Sequence, residues 1–505
     1  MSECAAYAKL QERFRRRSLI GDALGILDWD QATTMPEGSA AGRAEQIATL
    51  SVMRHELMVA PGVADAISQA IVDLDAADVC ADDWRRGNLR EMRRIHMLAD
   101  ALPGDLVEAA ARANSACELK WRSARAENDF PSLLPSLREV VNLVRQSAYA
   151  RAEALGLMPY DALLEEYESG TRTVRLDPLF DRLATYLPDI IPRVLERQNA
   201  RPSPIRPVGP FVIADQRTLA VELMRALGFD FDHGRLDVSH HPFCGGATGD
   251  VRITTRYNED DFTESLMGVM HETGHALYER GLPEEWQFQP VGAALGMAIH
   301  ESQSLLVEMQ ISRSRSFLAF ALPRMKAAFA DAGPAWDVDN LYRLYTHVAP
   351  GFIRVDADEV TYPLHIVLRY RLEKALLSND LDLADLPGAW NDGMNELLGI
   401  TPPDERQGCL QDIHWPAGLF GYFPTYTLGA MAAAQFFRAA RIAMPDLDKD
   451  IAAGRLAPLL SWLRINVHGQ ASRHSAEELI VRATGEELNP DIFLDHLESR
   501  YLLDN

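Results

Sequence analysis

The feature that most constrains this chain is the pentapeptide His271-Glu-Thr-Gly-His275, which lies in a run of residues with helical character. Two histidines four positions apart lie on the same face of an α-helix, where both imidazoles can bind one zinc ion. The glutamate between them, Glu272, would lie beside such an ion and could deprotonate a water molecule bound to it. The pattern therefore predicts a zinc hydrolase that cleaves amide bonds.

The residues around this motif support a helix. Asn258 to Asp261 offer polar N-terminal caps, and Gly281 with Pro283 supplies a stop signal. At helical periodicity the apolar residues fall on one stripe, opposite the motif; they are Phe262, Leu266, Val269, Met270, Ala276 and Leu277. We therefore expect a helix that packs on a core by one face and lines a cleft with the other.

The third metal ligand defines the subclass. A metzincin would have glycine and histidine where this chain has Tyr278 and Gly281, so that subclass is excluded. Glu279 shares the cleft face, but it lies too far along the helix axis to reach the metal. Two glutamates on the next helical stretch have suitable spacing, Glu301 and, seven residues later on the same face, Glu308. Spacing favours Glu301 and leaves Glu308 as its competitor.

Composition limits the partners and the cellular location that we expect for this chain. The 505 residues carry 73 acidic and 50 basic side chains, a net charge of −23, which disfavours nucleic acid or an anionic membrane as a partner. No apolar run approaches the roughly 20 residues that span a bilayer. The five cysteines are scattered and odd in number, so we expect no disulfide framework and a reducing, cytoplasmic location.

Most of the sequence has helical texture, for example in the stretches 131–154, 176–199 and 360–377. One segment alternates like a strand: the residues Val251, Ile253, Thr255 and Tyr257 alternate with Arg252, Thr254 and Arg256. The glycine-rich residues before it could turn the chain from a short preceding strand, and we expect an edge strand beside the zinc helix. Residues 202–210 read as a surface loop. We expect residues 1–505 to form a single catalytic domain, with two lobes around a substrate groove.

Several further motifs occur in a fixed order along the chain. They are Ile26-Leu-Asp-Trp-Asp-Gln-Ala-Thr-Thr-Met-Pro-Glu-Gly-Ser39, His241-Pro-Phe243, Asp250-Val-Arg-Ile-Thr254, His271 to His275, His300-Glu-Ser-Gln303, Ile353-Arg-Val-Asp356 and Gly408-Cys-Leu-Gln-Asp-Ile-His-Trp415. Together they resemble the signatures of the carboxypeptidase Taq family of thermostable-type HEXXH metallocarboxypeptidases, and the resemblance runs nearly end to end.

This resemblance implies properties that spacing could not give. The third metal ligand would be Glu301 instead of Glu308. The fold would be mostly α, gluzincin-like, with a long deep groove and a small β-sheet beside the zinc helix, as in neurolysin and angiotensin-converting enzyme. Members of the family are typically homodimers that remove C-terminal residues one at a time with broad specificity. They use zinc, and some work with cobalt.

The chemistry of peptide hydrolysis suggests further catalytic residues. Glu272 would accept a proton from the attacking water and pass it to the leaving amine. The tetrahedral oxyanion needs donors beyond the metal, and His414 and Tyr422 are our candidates, with Tyr426 nearly as strong. A tyrosine in such an aromatic stretch is more often a core residue.

An exopeptidase must also recognise the free C-terminal carboxylate, which a guanidinium binds bidentately. Arg354 is the first candidate, oriented by Asp356, and Arg252 is the second, unless it serves only as a salt bridge to Asp250. His241 is a third substrate-binding candidate from its motif. The competing reading is a zinc oligopeptidase that cuts internally and needs no arginine clamp. A binding scaffold without turnover is disfavoured because Glu272 is present.

Overall fold

Helices make up most of the computed structural model, which describes residues 5–329 and 333–503. Before the sheet they are α1 (Ala5–Thr33), α2 (Ala40–Val59), α3 (Val63–Ala76), α4 (Trp84–Asp100), α5 (Gly104–Glu127), α6 (Phe130–Leu155), α7 (Pro159–Tyr167), α8 (Thr173–Asn199) and α9 (Ile213–Ala226). After it come α10 (Phe262–Gly281), α11 (Met297–Leu305), α12 (Arg315–Phe329), α13 (Val338–Tyr345), α14 (Tyr362–Ser378), α15 (Leu386–Leu398), α16 (Pro424–Ala443), α17 (Leu447–Ala452), α18 (Ala457–Asn466), α19 (Ala476–Thr484) and α20 (Pro490–Glu498). The prediction of a mostly helical fold with a small sheet is confirmed.

The chain divides into two compact units, each built from three stretches of sequence. The first unit contains the sheet and the HEXXH helix and consists of Met1–Ala99, Pro204–Tyr345 and Ala432–Leu488. The second contains the Ile-Arg-Val-Asp and His-Trp motifs and consists of Asp100–Ser203, Thr346–Met431 and Asn489–Asn505.

The helices expected from periodicity are present, with ends set by local capping. α6 follows Asp129, whose carboxylate accepts a hydrogen bond from the backbone N–H of Ser132, and it ends at Leu155, just before Gly156, which has a φ of 68°. α8 covers the predicted stretch 176–199, and α14 covers the predicted stretch 360–377 from Tyr362 onward. Residues 202–210 lie in the loop between α8 and α9, as predicted.

The strand expected at the edge of a sheet is central instead. β1 (Gly234–Val238), β2 (Phe243–Ala247) and β3 (Asp250–Thr255) form a sheet in the order β1-β3-β2, with β1 parallel and β2 antiparallel to β3. The predicted strand is β3, and it ends before Tyr257. It is not an edge strand because the preceding chain supplies a neighbour on each side. β2 is an edge strand, and the glycine-rich stretch lies inside it.

Thr254 also departs from the predicted alternation, because it is fully buried. Its hydroxyl oxygen accepts a hydrogen bond from the Phe243 backbone N–H at 3.0 Å and one from the Ser239 hydroxyl at 2.7 Å. These contacts satisfy the buried hydroxyl, and the bond from Phe243 ties β2 to β3 at this point.

Helix α10 begins and ends where its capping residues predict. The carboxylate of Asp261 accepts a hydrogen bond from the Thr263 backbone N–H, and the last helical residue is Gly281. The helix is not amphipathic as expected, since Glu272 within the motif is also buried. The reason is that both the sheet and α11 pack against it.

Gly274, within the HEXXH motif, allows α10 and α11 to approach closely. A Cβ atom at this position would lie 2.6 Å from the Cα of Ser304 and 2.9 Å from the carbonyl carbon of Gln303, distances that real Cβ atoms essentially never show. Because these obstacles are backbone atoms, a side chain at this position would push the two helices apart.

Replacing Gly274 by Ala should lower the free energy of unfolding by about 1–3 kcal/mol, although Ala favours helices over Gly. Gly268→Ala is the matched control on the same helix, because its Cβ would meet only Pro242 at an ordinary 3.8 Å. Chemical denaturation of both variants checks this expectation. Equal stability of the two variants would show that the close approach of the helices is not needed.

Two other sequence expectations concern cysteines and membrane spans. The described cysteines, Cys80, Cys117, Cys244 and Cys409, are all free, and Cys4 lies outside the described residues. No single helix of the described chain has the length and apolar character to cross a membrane. One bent helix pair, Glu37–Val59 with Val63–Ala76, meets that test by length and composition alone.

Candidate active site

The structure brings His271, His275 and Glu301 together in the first unit. One ligand atom from each residue lies within 4.8 Å of the others. The Nε2 atoms of His271 and His275 lie 3.9 and 3.4 Å from the same oxygen, Oε2 of Glu301. The two histidines come from successive turns of α10 and the glutamate from the second turn of α11, so the packing of these helices creates the group.

The other ring nitrogen of each histidine, Nδ1, has a hydrogen-bond partner on the side away from Glu301. Nδ1 of His271 lies 2.9 Å from Oε2 of Glu308, and Nδ1 of His275 lies 3.1 Å from the backbone oxygen of His300. Partners of this kind keep the proton of a neutral imidazole on Nδ1 and leave the lone pair of Nε2 for a metal.

This arrangement distinguishes Glu301 from Glu308, the two candidates for the third metal ligand that sequence spacing could not separate. Glu308 lies in a π-helical segment, Leu306–Ser312, that continues α11, and Arg313 donates a hydrogen bond of 2.5 Å to its carboxylate. Glu308 is therefore on the far side of His271, whereas Glu301 faces the Nε2 atoms of both histidines. The geometry favours Glu301 as the third ligand.

Electrostatics of the group suit a cation. Burial alone would lower the pKa of His271, but the charge of Glu301 and the hydrogen bond to Glu308 outweigh it and raise that pKa to about 10. Burial alone would raise the pKa of Glu301, but the two histidines hold it at about 2. A buried carboxylate thus stays ionised only beside positive charge, and two imidazoles with one carboxylate are a donor set that fits zinc.

Glu272 lies in the same part of the structure but is not one of the converging ligand groups. Its side chain is 7% exposed. Burial raises the pKa of Glu272 to about 7, partly opposed by the charge of His271. A carboxylate whose pKa lies near neutrality is suited to accept and return a proton.

Arg252 and His241, two of the predicted substrate-binding residues, also lie in the first unit. Arg252 donates to both carboxylate oxygens of Asp250 at 2.5–3.0 Å and stacks on the ring of Trp29 at 4.6 Å. This is the salt bridge to Asp250 that the sequence analysis gave as the alternative to substrate binding by Arg252. His241 is exposed, and its backbone oxygen accepts a hydrogen bond from Ser239 at 2.5 Å.

Arg354 lies in the second unit and is 5% exposed. Its Nε and Nη2 atoms donate to Oδ1 of Asp412 at 3.1 and 2.8 Å, and Nη1 donates to the Tyr362 hydroxyl at 2.9 Å. These bonds to described residues use three of its five N–H groups, so the guanidinium retains donors for a second carboxylate. In the described structure Asp412, instead of the predicted Asp356, accepts the hydrogen bonds that orient the Arg354 guanidinium.

Asp412 is shared between two arginines. Oδ2 of Asp412 accepts a hydrogen bond from Nε of Arg369 at 2.7 Å, while Oδ1 binds Arg354. Burial raises the pKa of Asp412, but the positive charges of Arg369 and Arg354 outweigh it and hold that pKa well below its ordinary value. Two guanidiniums and one carboxylate leave this buried cluster with a net positive charge. The sequence reasoning missed Asp412, although it lies in the quoted Gly408–Trp415 motif.

His414, Tyr422 and Tyr426 form an aromatic group in the second unit. Nε2 of His414 lies 3.3 Å from the Tyr426 hydroxyl, and the Tyr422 and Tyr426 rings are 5.4 Å apart in an edge-on arrangement. Burial lowers the pKa of His414 to about 4, so its imidazole is neutral near pH 7. Both tyrosine rings lie close to the His414 ring, at 5.7 Å for Tyr422 and 6.2 Å for Tyr426.

A helical protein with an HEXXH helix, a downstream glutamate ligand candidate and a buried general-base candidate has the construction of a metallopeptidase. The family profile described as "Carboxypeptidase Taq (M32) metallopeptidase" matches residues 9–501. The chain belongs to this family and is a metallocarboxypeptidase, a hydrolase of peptide bonds. The resemblance seen in the sequence motifs is confirmed.

Individual relatives match over nearly their whole length. The chain is 39% identical to "Thermostable carboxypeptidase 1" of Thermus thermophilus, covering 99% of each sequence. Among solved structures it is similar to "Trypanosoma Cruzi Metallocarboxypeptidase 1", with a TM-score of 0.96, 40% identity and coverage of 99% of this chain and 100% of the other. An M32 carboxypeptidase from Deinococcus radiodurans gives a TM-score of 0.91 at 32% identity, with 98% of each chain covered.

Proposed function

We propose that this metallocarboxypeptidase is zinc-dependent, that His271, His275 and Glu301 hold the metal, and that it removes single C-terminal residues with broad specificity. The observation that carries the proposal is the convergence of the two Nε2 atoms on one oxygen of Glu301. The other nitrogen of each imidazole already has a hydrogen-bond partner, so both rings are oriented for a ligand on that side.

Glu272 is the proposed general base. A zinc ion held by these ligands would polarise the scissile carbonyl and acidify a water molecule. The carboxylate of Glu272 takes the proton of the attacking water and returns it to the leaving amine, a role that its burial and raised pKa support. His414 with Tyr422, or Tyr426 in its place, donates hydrogen bonds to the oxyanion.

Arg354 is the proposed recognition group for the free C-terminal carboxylate of the substrate. Its support is the net positive charge of the buried cluster and the two N–H groups that its bonds to Asp412 and Tyr362 leave available. Arg252 and His241 remain the other candidates for binding substrate. Arg252 is the weaker of the two arginines, because Asp250 already binds it bidentately.

Arg354→Met should lower kcat/KM for free-acid peptides by about 30- to 1,000-fold, since a desolvated charge-assisted bond to a carboxylate contributes about 2–4 kcal/mol. Peptides with a C-terminal amide, already poor substrates, should lose much less. Parallel kinetics on matched acid and amide peptides check this expectation. Arg406→Met, at an exposed residue of the same unit, is the control and should change neither. Equal losses on both peptides would make Arg354 structural and return the role to Arg252.

We include the metal, the assembly and the cellular location in the proposal, and the first two rest on the family resemblance. Zinc is the expected metal, with cobalt as a working substitute. The expected assembly is a homodimer, which light scattering of the purified protein would test. The free thiols of Cys80, Cys117, Cys244 and Cys409 support a reducing, cytoplasmic location.

A further inference from the structure

His300 lies between one proposed ligand histidine and an acidic side chain that the mechanism does not use. Its Nδ1 atom lies 2.7 Å from Nδ1 of His275, and its Nε2 atom lies 2.8 Å from Oε1 of Glu279. The side chain of His300 is 18% exposed and that of Glu279 is 36% exposed. Glu279 is too far along α10 to reach the metal, but His300 connects it to His275.

The donor and acceptor properties of these three side chains fix where the protons between Glu279, His300 and His275 lie. A carboxylate oxygen accepts hydrogen bonds, so an imidazole of His300 that carries one ring proton places it on Nε2, facing Glu279. Nδ1 of His300 is then an acceptor. Two nitrogens 2.7 Å apart share one proton, which must therefore belong to Nδ1 of His275. The lone pair of Nε2 of His275 consequently points to the side of Glu301.

The opposite tautomer of His300 would reverse this result. With its proton on Nδ1, His300 would donate to Nδ1 of His275, whose own proton would then move to Nε2 and block metal ligation. The backbone oxygen of His300, 3.1 Å from Nδ1 of His275, favours the tautomer of His275 that has its proton on Nδ1, but it does not fix the tautomer of the His300 ring. In the described structure, the contact between the Glu279 carboxylate and Nε2 of His300 fixes the tautomer of His300.

We propose that Glu279 is a positioning residue of the metal site, acting through His300 to fix the tautomer and the ring orientation of His275. The inference rests on the ligand role of His275 in the proposed function. Partners behind a ligand histidine typically affect metal affinity by about 10- to 100-fold. Glu308 serves His271 directly, so each proposed ligand histidine depends on a carboxylate outside the ligand set.

The position of Glu279 in α10 allows its effect on the metal site to be measured without an effect on stability. It lies in the last turn of α10, which ends at Gly281, and a negative charge there opposes the helix dipole. Removing the charge should therefore not destabilise the helix. A weaker metal site in a variant with unchanged stability then reports on positioning alone.

The first test measures Zn²⁺ dissociation constants by competition with a chromophoric chelator. Glu279→Ala should raise the constant about 10- to 100-fold. Glu279→Gln should raise it less, because the amide oxygen can still accept from Nε2 of His300. Glu285→Ala, which removes an exposed charge just beyond α10, is the control and should leave it unchanged. Denaturation midpoints of the chelator-treated proteins should be the same for all variants.

The second test asks whether the effect passes through His300. In His300→Asn the side-chain oxygen can accept from Nδ1 of His275 whether or not Glu279 is present. Adding Glu279→Ala to this variant should therefore change the Zn²⁺ constant by less than about 3-fold. A loss as large as in the wild-type background would overturn the inference, as would unaltered Zn²⁺ binding by Glu279→Ala alone. Failure of the wild-type protein to bind Zn²⁺ would instead overturn the proposed metal site itself.

Discussion

Glu272→Gln should retain the metal and lose most turnover, with kcat reduced by about 10²-fold or more. Glutamine has nearly the same shape as glutamate but cannot accept the proton of the attacking water. Glu272 is not among the three converging ligand groups, so its replacement leaves the proposed donor set intact. Steady-state kinetics combined with elemental analysis of the same preparation measure both quantities.

The control for this variant is Glu264→Gln, an exposed glutamate in the first turn of the same helix. It removes the same charge from α10 without touching the site and should keep wild-type kinetics. Turnover near the wild-type rate in Glu272→Gln would remove the general-base assignment. Loss of the metal from Glu272→Gln would assign Glu272 a part in binding it.

His275→Ala should abolish both metal binding and activity. The substitution removes one of the three proposed ligands and also the partner of His300. Two ligands that remain would hold a divalent ion far more weakly, because structural and catalytic zinc sites use at least three protein ligands. Equilibrium dialysis against Zn²⁺ and assay of the same samples check the expectation.

His233→Ala is the control for loss of a histidine in the same unit, since the His233 side chain is exposed and binds the carboxylate of Asp230, away from the three proposed ligands. It should bind Zn²⁺ like the wild type. Full metal occupancy in His275→Ala would contradict the ligand assignment. Restoration of its activity by added Zn²⁺ at low concentration would contradict it as well.

Local signals predicted the HEXXH helix well. The cap at Asp261 and the stop at Gly281 depend on residues close in sequence, so the limits of α10 could be deduced without tertiary information. The burial of Glu272 could not, because it results from packing of the sheet and α11 on a face that periodicity assigned to a cleft. The central position of β3 in the sheet was also missed, because it depends on pairing with a strand on each side and local sequence does not show such pairing.

The choice between Glu301 and Glu308 shows the same limit. Their spacing from the motif fits either residue, and only the change to a π-helix at Leu306 and the contact with Arg313 place Glu308 behind His271. Glu279 was excluded as a ligand by its distance along the helix axis, and its link through His300 could not be deduced because it needs the packing of two helices. Asp412 was missed because its two arginine partners lie 43 and 58 positions away in sequence.

The most direct test of the whole account is a time course of peptide hydrolysis read by mass spectrometry. A peptide of defined sequence with a free C-terminus should give a ladder of products, each one residue shorter from that end. The ladder should stop on treatment with a chelator, return with Zn²⁺, and be nearly absent for the C-terminal amide and for Glu272→Gln. Complementary internal fragments from the earliest time point, formed equally from the acid and the amide, would contradict the account.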